Sequence, residues 1–267
     1  MSKIVQDVFT VVSKNFVTPN YIRVVLTGNV SLFKGATLGD NNKIFIPPKG
    51  IKKVHMRSYI EETNEWILPE LAVRPFMRTY TNRAINFETN ELVLEFANHG
   101  EEGPASAWAN AAQIGDELGV AMKISGKQLF PEVNNYLLVG DATAIPALSV
   151  ILENLPATAK GNCIIEVKTK EDKQSLKTKA NINFKWIYNE NPGDGNALFD
   201  AVKAVELPET SKFGFVACEF ATVKQIRTYL RKEKQWEQNE LFAYSYWKKG
   251  MAENESAKDR QKEKANF

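Results

Sequence analysis

Histidine and cysteine are scarce in this chain, two of each in 267 residues, and their scarcity removes several chemistries at once. Cys163 and Cys218 lie far apart inside the apolar segments NCIIEV and FGFVACEF. That spacing is unlike a zinc or iron–sulfur ligand set, so both are expected to be core thiols and no metal site is assigned. With only His55 and His99 available, no Ser/His/Asp or Cys/His constellation is apparent, and no side chain is assigned as a catalytic acid, base or nucleophile. Charge of one sign is missing too: 34 Lys and Arg stand against 32 Asp and Glu, a net charge of +2, which gives no overall attraction to nucleic acid or anionic lipid. Functional positive charge must therefore be local. No apolar run approaches the roughly 20 residues that a membrane-spanning helix needs. The first residues, MSKIVQDVFTVVSKNF, alternate apolar and polar side chains instead of forming the apolar run of a signal peptide. The expectation is a cytoplasmic monomer with neither nucleic acid nor membrane among its partners.

What is present is a globular composition, 43% hydrophobic and 25% charged, with a change of rhythm along it. From residue 4 to about 130 the segments VFTVVS, YIRVVLTG, KIFIP, EWIL and ELVLEFANHG alternate or run briefly between Gly, Pro, Asn and Asp. This predicts an antiparallel barrel or sandwich. PASAWANAAQ, 104–113, has helical spacing after a Gly-Pro start and predicts one inserted helix. After Pro131 short apolar runs alternate with helix-like segments: YLLVG and ALSVILENL, NCIIEV, FKWIY and NALFDAVKAV, FGFVA and TVKQIRTYLRKEKQW, then ELFAYSYW. Such alternation predicts parallel βαβ units. The domains are accordingly placed at 1–131 and 132–250, with a polar tail, 251–267, that is either disordered or a solvated helix. Ligands of an open parallel sheet bind beyond its strands' carboxyl ends, which directs attention to Gly140 through Pro146 and Cys218 through Ala221.

Two motifs carry chemistry in the first half. Arg78-Thr79-Tyr80-Thr81, with Asn82 and Arg83 after it, ends a predicted strand, so Arg78 and Tyr80 share a face. A guanidinium there can neutralise a pyrophosphate while the ring packs against a flavin, although these residues alone also fit an ordinary exposed strand. His99-Gly100 and Gly103-Pro104-Ala105-Ser106-Ala107-Trp108 form a turn into a helix whose first N–H groups are open to an anion. A helix that merely starts at Pro104 fits equally well.

Taken in order, RTYT, HGEEGPASAWA, IGDEL, VGDATAIPAL and YWKKG make the chain resemble the siderophore-interacting proteins, a branch of the ferredoxin-reductase-like flavoenzymes, over about residues 4 to 252. The resemblance implies a six-stranded antiparallel FAD-binding β-barrel followed by a parallel-sheet α/β domain for NADH or NADPH. Carried over by motif, FAD would be held by Arg78, Tyr80, Thr81, Arg83, Asn98, His99, Pro104, Ala105, Ser106 and Trp108. The nicotinamide nucleotide would meet Asp141, Thr143 and Ala144. Two departures stand out: Ala142 replaces the family's usual Glu, and Cys218 replaces its common Gly, while Glu219 matches. Lys168, Lys170 and Lys173, after the second strand of this half, fit an adenosine 2′-phosphate or a solvated charged loop, so the choice of donor stays open.

The resemblance also implies a ferric siderophore as substrate. Lys43, Lys127 and Lys248 stand in motifs that flank the flavin in the family and are the candidate substrate-binding residues, with Lys49, Lys52, Lys53 and His55 ranked second. In the implied cycle NAD(P)H, or ferredoxin in its place, reduces the FAD, and single electrons pass on to Fe(III), freeing the iron as Fe(II). Trp247 is open between a core position and a cover over the flavin, Tyr244 is read as core, and the tail is a candidate gate for nicotinamide entry. Two rivals remain in view: a general NAD(P)H flavin or ferredoxin reductase, and a siderophore carrier without catalysis.

Overall fold

A strand buries one face when alternate residues are apolar, and the first half of the chain follows that rule closely. The computed structural model describes residues 3–101, 103–253, 255, 256 and 259. It divides into two compact units, Met1–Leu129 and Phe130–Phe267. The first contains β1 (Lys3–Thr18), β2 (Tyr21–Thr27), β3 (Asn41–Ile46), β4 (Ser58–Ile60), β5 (Glu65–Ile67), β6 (Phe76–Thr81), β7 (Ala84–Asn86), β8 (Glu91–Ala97), helix α1 (Pro104–Ala111) and β9 (Glu117–Ile124). Seven of these strands form one antiparallel sheet in the order β6-β3-β9-β1-β2-β8-β7. The first half of the long β1 pairs with β9 and the second half with β2. A register shift between Val11 and Ser13 bends the strand between its two partners.

The sheet curls on itself. Tyr80 of β6, one edge strand, lies 4.6 Å from Phe96 of β8, next to the other edge. Inside, Ile22, Val24 and Leu26 of β2, Leu92, Leu94 and Phe96 of β8, and Leu118 and Val120 of β9 are fully buried at alternate positions. Each such side chain contributes about 1.5–3 kcal/mol relative to exposure. Two expectations change here. The sheet has seven strands instead of six, because the three-residue β7 adds to β8. The segment EWIL belongs to a separate hairpin, β4 with β5, and not to the barrel. Its alternation is real, but the covered side holds only Trp66 under the Arg57 guanidinium, 3.9 Å from the ring centre, while Ile67 stays half exposed.

The second unit contains β10 (Asn135–Asp141), α2 (Ile145–Asn154), β11 (Lys160–Val167), β12 (Asn181–Tyr188), α3 (Ala197–Lys203), β13 (Lys212–Glu219), α4 (Phe220–Thr228) and β14 (Leu241–Trp247). Its five strands are all parallel, in the order β12-β11-β10-β13-β14. Chain order therefore reverses between β10 and β13, which makes that junction the topological switch point. Helix α2 is buried from Ile145 through Leu152, eight residues without a polar face. On α3 and α4, Leu198, Val202, Val223 and Ile226 pack with Leu137, Val139 and Val216 of the sheet. At Gly140 an added Cβ would come within 2.5 Å of the Ala144 Cβ and 3.0 Å of the Ala217 carbonyl, so the turn from β10 towards α2 closes on β13 only with glycine there. Among the described residues no helix is long and apolar enough to cross a membrane. The expectation for the tail falls largely outside the described residues; of these, Glu253, Glu255, Ser256 and Asp259 are helical.

Candidate functional site

In the first unit the candidate residues come from the end of β6 and from the turn between β8 and α1. Antiparallel pairing sets Arg78 opposite Ile44 and Lys43 opposite Thr79, and the Lys43 ammonium donates to the Thr79 hydroxyl. The Arg78 guanidinium donates to the Met77 carbonyl at 2.8 Å. Tyr80 packs against Phe96, and Phe96 lies 5.8 Å from Trp108 of α1, so three rings form one wall. Thr81 is buried. Beyond it the Asn82 amide oxygen accepts from Asn42 at 2.7 Å, and the Asn82 N–H donates to the Asp40 carbonyl at 2.9 Å. Asn82 thereby holds the chain where it turns into Arg83.

The turn from β8 into α1 is clasped from the helix. Ser106, almost fully buried, donates its hydroxyl to the Gly100 carbonyl at 2.6 Å and accepts from the His99 N–H at 3.1 Å. Asn98 Oδ1 accepts from the Gly100 N–H at 3.0 Å and from the Asn110 amide at 2.6 Å. Asn110 also donates to the carbonyls of Gly100 and Ser106. Ala107 makes the first helical bond, to Gly103, and Pro104 carries no N–H, so the N–H groups of Ala105 and Ser106 are the ones that α1 cannot satisfy internally. Ala105 is buried and His99 exposed. Sequence reasoning missed Asn110, although its place four residues after Ser106 on a helix was available as a signal.

A second omission is a buried ionic cluster on β2 and β8. Glu95, 4% exposed, receives the Tyr21 phenol on Oε2 at 2.9 Å and two nitrogens of Arg23 on Oε1 at 2.8 and 2.6 Å. Arg83 Nε lies 3.7 Å from the same Oε1. Burial and the neighbouring carboxylate push the Tyr21 phenol well up, so it donates as a neutral group.

The lysines are distributed over both units. Lys43 is on β3, and Lys127 is exposed just after β9, where its carbonyl accepts from Thr37. Lys49, Lys52, Lys53 and His55 are exposed along the connection that leads to β4. Lys248 belongs to the second unit, where its ammonium pairs with Asp259 at 2.6 Å and lies over the Phe220 ring. Lys168, Lys170 and Lys173 are exposed after β11.

In the second unit, three acids mark the carboxyl ends of adjacent strands: Asp141 on β10, Glu166 on β11 and Glu219 on β13, all buried. Asp141 Oδ1 accepts from the Thr143 N–H at 2.9 Å, and Oδ2 accepts from the Trp247 indole at 2.7 Å. Burial raises the Asp141 carboxyl, and these hydrogen bonds oppose the rise. Glu219 accepts from the N–H groups of Ala221 and Lys249. Burial lifts the Glu166 carboxyl to about 7, helped by Asp141 and opposed by donors from Asn189 and Gly193. Gly193, at φ +82°, sits so close to Trp247 and Glu219 that an added Cβ would meet them at 2.9 and 3.1 Å. Ala144 is fully buried. Trp247 is thus half-buried and tied across the switch point, and Tyr244 is half-buried instead of core. Cys218 is buried, and its thiol is pushed well up by that burial and then by Asp141, Glu166 and Glu219. In the sequence Glu166 is a single acid at the end of an apolar run, just before Lys168 and Lys170, and carries no local sign of its burial.

The donor set of the first unit, two guanidiniums, open helix-start N–H groups and an aromatic wall, has the chemistry that an FAD diphosphate and ring system require. Comparison with known proteins agrees. A family model described as the siderophore-interacting FAD-binding domain matches residues 10–122, and one described as siderophore-interacting protein matches residues 133–250. The ferric vibriobactin reductase ViuB of Vibrio cholerae is 33% identical over 247 residues, covering 91% of this chain and 89% of that protein. The siderophore-interacting protein SipS of Aeromonas hydrophila superposes with a TM-score of 0.82 at 28% identity, covering 96% of this chain and 97% of that one. A ferredoxin-NADP+ reductase from Plasmodium falciparum shares the fold at a TM-score of 0.62 and 14% identity, covering 90% and 95%.

Proposed function

Because the chain belongs to the siderophore-interacting protein family, we propose that it is an FAD-dependent reductase of ferric siderophores that draws electrons from NADH or NADPH. The observation that supports this reading best is the pairing of an arginine-bearing strand end with a clasped helix start in the unit matched by the FAD-binding model. Bound FAD supplies the step from two-electron donor to one-electron acceptor. Arg78 and Arg83 would neutralise its diphosphate, with the N–H groups of Ala105 and Ser106 as further donors. Tyr80 and Trp108 would cover apolar surface of the cofactor. Thr81, Asn98 and His99, with Pro104 setting the helix start, complete the proposed set, in which the buried Ser106 hydroxyl and Asn110 keep the loop in shape. In the second unit Asp141, Thr143 and Ala144 build the switch-point turn that would receive the nicotinamide nucleotide.

The substrate requires little from the protein. An electron crosses a short gap without a covalent intermediate, and Fe(II) is held by siderophore oxygens far more weakly than Fe(III). Lys43 and Lys127 of the first unit, and Lys248 of the second, would each offer positive charge to an anionic complex, an attraction that weakens with salt. The test is anaerobic. The purified yellow protein should bleach with NADH or NADPH and regain colour when a ferric catecholate or hydroxamate is added. A flavin that neither donor bleaches, or that free flavin reoxidises as fast as any iron chelate, would count against the proposal.

A further inference from the structure

Strand β12 lies at one end of the parallel sheet and pairs only with β11, without a register shift from Asn181 to Tyr188. The Asn181 N–H donates to the Ala159 carbonyl and the Asn189 N–H to the Val167 carbonyl, both at 2.9 Å, so odd-numbered residues turn their backbone groups towards β11. Even-numbered residues turn theirs outward. The Ile182 N–H folds back onto the Ala180 carbonyl at 3.1 Å, and among the described residues no segment bonds the outward groups of Phe184, Trp186 and Tyr188. Their side chains share a face as well. Ile187 packs on the core that holds α3 and α4, which puts Ile182, Phe184, Trp186 and Tyr188 on the opposite face, where Phe184 is 38% and Tyr188 50% exposed. An unpaired edge carrying such a row of apolar side chains is a template for another strand. Lys185, the one charge within β12, sits on the other face and does not protect it.

The charges at the two ends of the strand say what fits. Exposed Lys177 and Lys179 precede β12, and exposed Glu190 follows it. A second copy running antiparallel brings the basic start of each strand to the acidic end of the other. With the two-fold axis at Phe184, outward backbone groups meet outward groups, Ile182 faces Trp186, and Glu190 faces Thr178 between Lys177 and Lys179. Centring the axis on Lys185 would instead oppose two ammonium groups. We propose that β12 is a homodimer interface, through which two copies of this chain join their parallel sheets edge to edge. This departs from the monomer expected from the sequence, where nothing marks β12 as an edge strand, and it does not draw on the flavin reading.

Sedimentation equilibrium of the full chain tests it. At micromolar concentration the wild type should approach twice the chain mass of 30.1 kDa. Phe184→Glu sets two carboxylates against each other on the axis and should raise the dimer Kd at least about tenfold. Glu190→Lys should raise it several-fold, and adding Lys177→Glu and Lys179→Glu to Glu190→Lys should restore it. A mass that stays at one chain overturns the proposal, including the case in which an extended segment of another protein covers the edge. A dimer that Phe184→Glu leaves intact lies elsewhere and overturns it too, and so does a Glu190→Lys defect that the two added carboxylates do not repair. Should a variant fail to fold, hydrogen exchange on the wild type decides. The N–H groups of Phe184, Trp186 and Tyr188 should exchange more slowly as protein concentration rises, and rates independent of concentration refute the interface.

Discussion

Glu166 shows how one buried carboxyl couples the second unit to pH. Its ordinary value is 4.5, and burial lifts it to about 7 in the fold. Between those values the folded chain keeps a proton that the unfolded chain has released. The stabilisation linked to this group is therefore complete below the ordinary value, declines as pH rises through the window, and is gone above about 7. Glu166→Gln removes the titration while keeping an acceptor for Asn189 and Gly193. We expect the melting temperature of the variant to fall less than that of the wild type from pH 4.5 to 7, and to lie above it at pH 8. Parallel curves for the two proteins would show that Glu166 does not carry this dependence. A neighbouring contact should respond in the opposite sense. Trp247→Phe deprives Asp141 of its indole donor and should cost about 1.5–3 kcal/mol, as for a hydrogen bond to a charged group, read by urea unfolding at neutral pH.

At the level of the element, the piece that matters most is the clasp between α1 and the turn after β8. Asn110 makes three contacts there, to Asn98, Gly100 and Ser106, none of them directed outward. Asn110→Ala should therefore weaken FAD several-fold by loosening the loop, with the melting temperature of the apoprotein lowered by only a few degrees. Unchanged affinity would remove the clasp from the proposed site. The same element marks how far the sequence could be read. Helical spacing placed a helix at 104–113, and it runs Pro104–Ala111. The period of two found β2 and β8, because Ile22, Val24 and Leu26 face Leu92, Leu94 and Phe96 in one core. Alternation says that a strand has two unlike faces and nothing about which sheet it joins, so the pattern of EWIL fits a barrel strand although the segment forms a hairpin. Contacts between distant segments left no local trace. Glu95 looks like an outward residue until Tyr21 and Arg23 cover it, and Trp247 meets Asp141 across 106 positions.

On the scale of the whole chain, all the proposed FAD residues, Arg78 through Trp108, fall inside Met1–Leu129, and the proposed nicotinamide turn at Asp141 falls inside Phe130–Phe267. The first unit also has its own core, from Phe9 to Met122, and a sheet that needs no strand from the second. At the other side of the division, the Tyr136 phenol donates to the Pro131 carbonyl and accepts from the Val133 N–H, so the chain entering β10 is fastened to its own unit. A fragment of this length lies in the usual range of independently folding domains. We predict that residues 1–129 expressed alone fold cooperatively and take up FAD, giving a yellow protein that dithionite bleaches and neither NADH nor NADPH does. A colourless or unfolded fragment would mean that flavin binding draws on the second unit, and bleaching by a nicotinamide nucleotide would mean that the donor does not need the switch point at Asp141.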